Sequence, residues 1–196
     1  RAFKYVFVLA SATDIERLAS INMAAKNAHK TLFVCAGLAN NAMRIFKRRE
    51  SKQPGDLFDF NPRFYKEERH LETMKKRGFV MVSGVSQFDR VEALHKLLPE
   101  EEVLLIYSTW DGYYKEQAQV EQNPGYKMYR DAFHNVVDIH TSGHASRQAI
   151  KDVIETINPK QAIIGIHKDE GQTLESLGLS DELKNKILDN KTISLV

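Results

Sequence analysis

Six residues carry the side chains best suited to chemistry in this chain: the consecutive His140, Thr141, Ser142, Gly143 and His144, and the later His167. Neutral imidazole ligates zinc, and imidazolium binds phosphate. The Ser142 hydroxyl lies beside the start of a helix expected near Ala145, whose unpaired N–H groups favour an anion. Together these groups point to a metal-assisted phosphodiester site, or to part of one. A single histidine after a strand is more often a capped or solvated residue. The clustering of several polar groups is what raises the functional reading.

The elements that hold these residues follow from the spacing around them. Residues 136–139 are β-branched and apolar, as in a buried strand, and Ser142-Gly143 marks a turn. Ile150, Val153, Ile154 and Ile157 follow the i, i+3, i+4, i+7 rule of an amphipathic helix, which Asn158-Pro159 ends. Residues 162–166 read as the next strand. Two strands joined through a helix are normally parallel. Their C-terminal ends would then share the edge at which open α/β sheets bind ligands, and bring His167 to the loop at 140–144.

Upstream, the same grammar recurs. Residues 5–9, 31–36, 78–83 and 103–107 read as strands, alternating with helical patterns. A capping box at Thr13-Asp14-Ile15-Glu16 opens the first helix, with Leu18, Ile21, Ala25 and Ala28 as its apolar stripe. A second helix covers residues 38–48. Another buries Val91, Leu94 and Leu98 before Pro99, and a later one turns Tyr129 and Phe133 inward. Residues 64–77 are charged and helical. Residues 47–62 read as a surface loop pinned by Leu57, Phe58 and Phe60. Its Lys47, Arg48, Arg49 and Lys52 fit either an RNA path or, more commonly, a solvated helix end, since acidic residues are interleaved. His95 and His134 read as structural. After His167 the pattern weakens to a helix over 174–188, broken near Gly178, and a short strand over 191–196. The fold class is α/β, a mainly parallel sheet with helices on both faces.

Composition excludes several classes. The 196 residues suit one medium domain, or one domain plus part of another, and the 42% hydrophobic content suits a buried core. A net charge of +2 does not identify a nucleic-acid binder. Cys35 is the one cysteine and sits in the apolar run TLFVCA, which reads as core and as a reducing, cytoplasmic setting. No apolar run approaches the roughly 20 residues that span a bilayer.

HTSGHAS, a helix, an Asn-Pro-Lys break and a strand ending in I-x-I-H resemble the return segment of the β-CASP metallo-β-lactamase nucleases, ribonuclease J-like proteins above all. The resemblance implies that His144 contacts the scissile phosphate and that His167 is a zinc ligand. It implies that His140, Thr141, Ser142 and Gly143 form the substrate-binding loop. The run Ser108-Thr109-Trp110-Asp111-Gly112-Tyr113 is similar to the family's S-x-W-x-G-Y segment and makes Trp110 a substrate contact, able to stack on a base. Asp14-Ile15-Glu16-Arg17-Leu18 resembles the helix that opens a β-CASP domain. The family's H-x-H-x-D-H motif is absent, and one histidine cannot hold a catalytic zinc.

The expectation is therefore a C-terminal portion of a zinc-dependent ribonuclease, with residues 1–134 as β-CASP domain and 135–196 as the returning metallo-β-lactamase segment. Two zinc ions belong to the full-length protein, and this chain alone would be inactive. Its partners would be RNA, the missing N-terminal metallo-β-lactamase domain and, through the face that domain leaves exposed, a homodimer, with no membrane. The alternative is a self-contained flavodoxin-like or Rossmann-like module binding a small phosphorylated ligand, with Ser142-Gly143-His144 as the anion pocket. It lacks a G-x-G-x-x-G fingerprint.

Overall fold

The computed structural model describes residues 3–140, 146–165 and 174–188. The chain divides into two compact units, Arg1–Thr141 and Ser142–Val196. In the first unit, β1 (Tyr5–Leu9), β2 (Leu32–Val34), β3 (Arg63–Phe64), β4 (Phe79–Ser83), β5 (Val103–Tyr107) and β6 (Val136–Asp138) form one sheet in the order β3-β2-β4-β1-β5-β6. Every pairing in it is parallel. The central strands are apolar at nearly every position (YVFVL, FVMVS, VLLIY) because a parallel sheet is buried on both sides.

Alternation along each strand sorts the core into two layers. Tyr5, Phe7, Leu9, Phe33, Phe79, Met81, Val103, Leu105 and Tyr107 face one way. They meet α3 (Glu67–Arg77), α4 (Phe88–His95) and α7 (Pro124–Asp131) through Met74, Phe88, Val91, Leu94 and Tyr129. Val8, Leu32, Val34, Val80 and Val82 face the other way, onto Leu18, Ala19 and Ala25 of α1 (Ile15–Asn27) and Ala39 and Met43 of α2 (Gly37–Glu50). The connection from β1 moves toward the β3 edge, whereas those from β4 and β5 move toward β6. Right-handed crossovers in opposite directions place their helices on opposite faces. Two short helices, α5 (Gly112–Lys115) and α6 (Gln117–Gln122), lie between β5 and α7.

Several local expectations change. Asp14, rather than Thr13, caps α1, accepting a hydrogen bond from the Arg17 amide at 3.1 Å. Residues 63–64 form a short edge strand that no period could reveal, and the helix after it starts at Glu67. In the loop over 51–62, Phe60 is buried and Phe58 packs on Phe46, but Leu57 is 52% exposed and pins nothing. Asp59 does that work instead: it accepts from Lys26 at 2.9 Å and from the Gly55 amide at 3.2 Å, with Lys47 at 3.2 Å. The Lys26 bond, then the Gly55 amide, hold its carboxyl down to about 2. Gly78 closes α3 with φ of 71°, and a side chain there would meet the Lys4 carbonyl.

In the second unit, α8 (Arg147–Ile157) is capped by Ser146, whose hydroxyl accepts from the Ala149 amide at 3.1 Å. Asn158 ends it in the left-handed conformation. Ile154 packs with Leu174, Leu177 and Ile187 around Ile163, Leu179 and Leu183. Val153 and Ile157, expected to be buried by the same stripe, are exposed. Instead of a strand over 162–166, the described residues show a single parallel bridge between Ile163 and Ile187; Ile166 itself lies outside them. The helix expected over 174–188 is a short turn at Leu174–Leu177 and α9 (Asp181–Lys184), interrupted at Gly178 as its φ of 70° requires. The strand expected over 191–196 lies outside the described residues. No helix among the described residues is long and apolar enough to cross a membrane.

The Ser83 and Tyr129 hydroxyls share a buried hydrogen bond of 2.6 Å that ties α7 to the sheet. Tyr129→Phe leaves Ser83 unpaired and is expected to cost about 1–3 kcal/mol in a urea melt. Ser83→Ala with Tyr129→Phe should cost less than the two single changes summed.

Candidate functional site

The loops that follow β1, β2, β4 and β5 all leave from one edge of the sheet, and the small polar residues of the first unit collect there: Ser11 and Thr13 after β1, Gly84 and Ser86 after β4, Ser108 and Thr109 after β5. Loops after β1 and β5 leave toward opposite faces, which opens a crevice between neighbouring strand ends. His140, two residues beyond β6, and Trp110, three beyond β5, stand on this edge.

Arg17 is the side chain that organises the crevice. It lies in the first turn of α1, where its Nε is 3.0 Å from Oδ2 of the capping Asp14. From that anchor Nη1 reaches over the end of β5 and donates to the Ser108 carbonyl at 2.5 Å and the Ser108 hydroxyl at 3.3 Å. The same Nη1 stands 3.0 Å from Nδ1 of His140. A guanidinium has no acceptor, so this contact needs a lone pair on Nδ1 and places the imidazole proton on Nε2. The charge balance agrees. Burial first, and then the Arg17 charge, hold the His140 imidazole below the usual histidine range, against the opposing pull of Asp111, the Ser108 backbone and Asp14. His140 is therefore a neutral imidazole held beside a fixed guanidinium.

β6 is held for this purpose from its other face. Tyr114 donates to Asp138 Oδ1 at 3.1 Å, Arg130 donates to Oδ2 at 3.1 Å, and the Arg130 guanidinium lies 4.4 Å over the Tyr114 ring. Trp110 packs edge-on against Tyr113 at 5.4 Å, and Tyr113 stacks on Tyr126 at 4.2 Å. The indole lies across Gly112, where a Cβ would stand 2.3 Å from its ring, so only glycine admits it. With 40% of Trp110 exposed, a face remains for stacking.

Of the residues expected at the site, His140 and Trp110 stand at the ends of paired strands. Thr141, Ser142, Gly143, His144 and His167 lie outside the described residues. Arg17 and Ser108 were not foreseen as site residues. Among the described residues no group of His, Cys, Asp and Glu side chains is placed to hold a metal ion. Zinc takes three or four protein ligands, so these residues do not fit a zinc centre.

Residues 134–178 match the family described as the Zn-dependent metallo-hydrolase RNA specificity domain. The match begins just before β6 and contains both histidines of the loop and His167. It supports a metallo-β-lactamase-related family and an RNA-binding, metallo-hydrolase setting for that segment. No curated protein matches the chain.

Because its native state disfavours the proton, His140 contributes stability that is present above the ordinary histidine range, near pH 6.5, and is lost as pH falls through the lowered native value. An NMR titration of the His140 ring should find its midpoint below that of an unstructured histidine. Arg17→Met should move the midpoint up; no movement would show that the guanidinium does not act on the ring.

Proposed function

We propose that this chain is the RNA-gripping portion of a zinc-dependent ribonuclease of the metallo-β-lactamase/β-CASP type, which hydrolyses RNA phosphodiester bonds. Its first part, residues 1–134, would be the β-CASP domain, and residues 135–196 the segment returning to the metallo-β-lactamase fold. The observation that carries this reading is the match to an RNA specificity domain over residues 134–178, the stretch that holds every polar residue of the expected loop.

In this reading His140, Thr141, Ser142, Gly143 and His144 take up the RNA backbone, with His144 as the cation against the scissile phosphate. His140 offers its Nε2–H, and Arg17 adds a fixed positive charge behind it. Trp110 supplies a stacking face for a base. His167 gives one ligand to a zinc site whose other ligands come from a metallo-β-lactamase domain outside this chain. The exposed Val153 and Ile157 of α8 would suit a covering domain packed on that face. A parallel sheet alone fits a small-ligand module equally well, and the family match is what favours RNA.

The chain should bind single-stranded RNA in a fluorescence anisotropy titration, with an affinity that falls steeply as salt rises, by about 0.7 in log K per log salt for each phosphate contact. Binding that is absent at low salt, or indifferent to salt, would remove the proposal. In the full-length protein, His144→Ala is expected to lower turnover sharply with zinc content unchanged, and His167→Ala to lower bound zinc. Full zinc content after the second change would remove His167 from the ligand set.

A further inference from the structure

A second basic cluster lies on the same edge of the sheet, at its far end. β3 ends at Phe64, and Tyr65 continues the ladder by donating to the Val34 carbonyl at 3.0 Å. Lys66 then caps α3, so Arg63, Lys66 and Arg69 gather where that helix starts. Arg90, from the first turn of α4, donates to the Tyr65 carbonyl at 3.1 Å and lies 5.4 Å over the Tyr65 ring. All four cationic side chains are exposed, and among the described residues none forms an ion pair, although Glu67 and Asp89 share their turns. The charges of Arg63, Lys66 and Arg69 act on His70, which accepts from the Lys66 amide at 3.1 Å. Burial, then Arg69, Arg63 and Lys66, hold its imidazole below the usual range.

Between this cluster and the Arg17–His140 crevice the edge carries little bulk. Its exposed residues include Gly37 after β2, Ser86 after β4, and Ser11 and Thr13 after β1, with Leu38, Glu16 and Asp89 in the first turns of the helices that follow. Nothing stands within 4 Å of where a Cβ on Gly37 would be. From β3 to β5 is four steps in the strand order, about 19 Å at the usual spacing of roughly 4.8 Å. A stacked single strand advances about 3.4 Å per nucleotide, so that span corresponds to about six nucleotides.

We infer that the rim of the sheet is a track for single-stranded RNA, gripped at one end by Arg17 and His140 and at the other by a second phosphate subsite made of Arg63, Lys66, Arg69 and Arg90. This rests on the RNA reading above and extends it. The two basic ends are separated by four strand spacings, so an RNA of two nucleotides reaches one end only and a longer strand reaches both. The subsite therefore gives affinity that depends on length.

The test uses the full chain, a fluorescent RNA decamer and a fluorescent dinucleotide. Wild type should bind the decamer more tightly. Lys66→Glu with Arg69→Glu should weaken the decamer about tenfold or more and flatten its salt slope by about 1.4, two contacts' worth, while the dinucleotide is unchanged. Lys66→Gln with Arg69→Gln should act in the same direction, less strongly, and guards against a local folding defect; thermal melts check both. Arg48→Glu with Arg49→Glu, at the opposite end of α2, should leave the decamer's affinity within about twofold, apart from the general charge effect. A decamer affinity and slope that survive both 66/69 variants, or that fall equally in the 48/49 variant, would overturn the subsite while leaving RNA binding intact. Failure of wild type to bind either RNA would instead overturn the reading on which the subsite rests.

Discussion

A parallel sheet covered by helices on both faces has no room for a polar side chain along its strands, and this constraint shapes the first unit throughout. Phe7, Leu9, Val82 and Leu105 are almost wholly buried, on one face or the other. Ser83 and Tyr129 enter the interior as a hydrogen-bonded pair. Everything able to meet a charged ligand is displaced to the strand ends. Because all the strands point the same way, one of the two edges collects the loops that lead into helices, together with the positive ends of those helices. The edge is thus polarised before any side chain is chosen.

On that edge a single arginine does most of the local organisation. Arg17 is fixed by the aspartate that caps its own helix, crosses to a neighbouring strand end and stands against a histidine. Asp14 and the carbonyl and hydroxyl of Ser108 fix it in place. The result is a cation held still, next to a ring kept neutral. Asp138, gripped by Tyr114 and Arg130, keeps the strand that delivers the ring in register.

The second unit is organised differently. Among the described residues its core is built from Ile163, Leu179, Leu183 and the residues packed around them, and a bridge joins Ile163 to Ile187. Two aliphatic side chains of α8 remain in solvent. Residues 134–178, which match an RNA specificity domain of metallo-hydrolases, supply α8 and Ile163 to this core.

Much of this was legible in the linear chain. Uninterrupted apolar runs of five identified buried parallel strands, helical periods between them identified the α/β class, and the position of Trp110 just after such a run put it on the ligand edge; the strand before His140, expected to be buried over 136–139, is instead the edge strand β6, with Val137 and Ile139 exposed. The residues that escaped sequence reading share one property: their role depends on partners far along the chain. Arg17 is 91 residues from Ser108 and 123 from His140, so no local pattern distinguishes it from any other arginine in a first turn. β3 is two residues long and exists because β2 offers it an edge to pair with. Local spacing determines which face of an element is apolar and where it stops. Which strand ends become neighbours, and hence which charges act on which rings, is decided only by the strand order β3-β2-β4-β1-β5-β6, because electrostatic and hydrogen-bonded contacts depend on distance in space and not on separation along the chain.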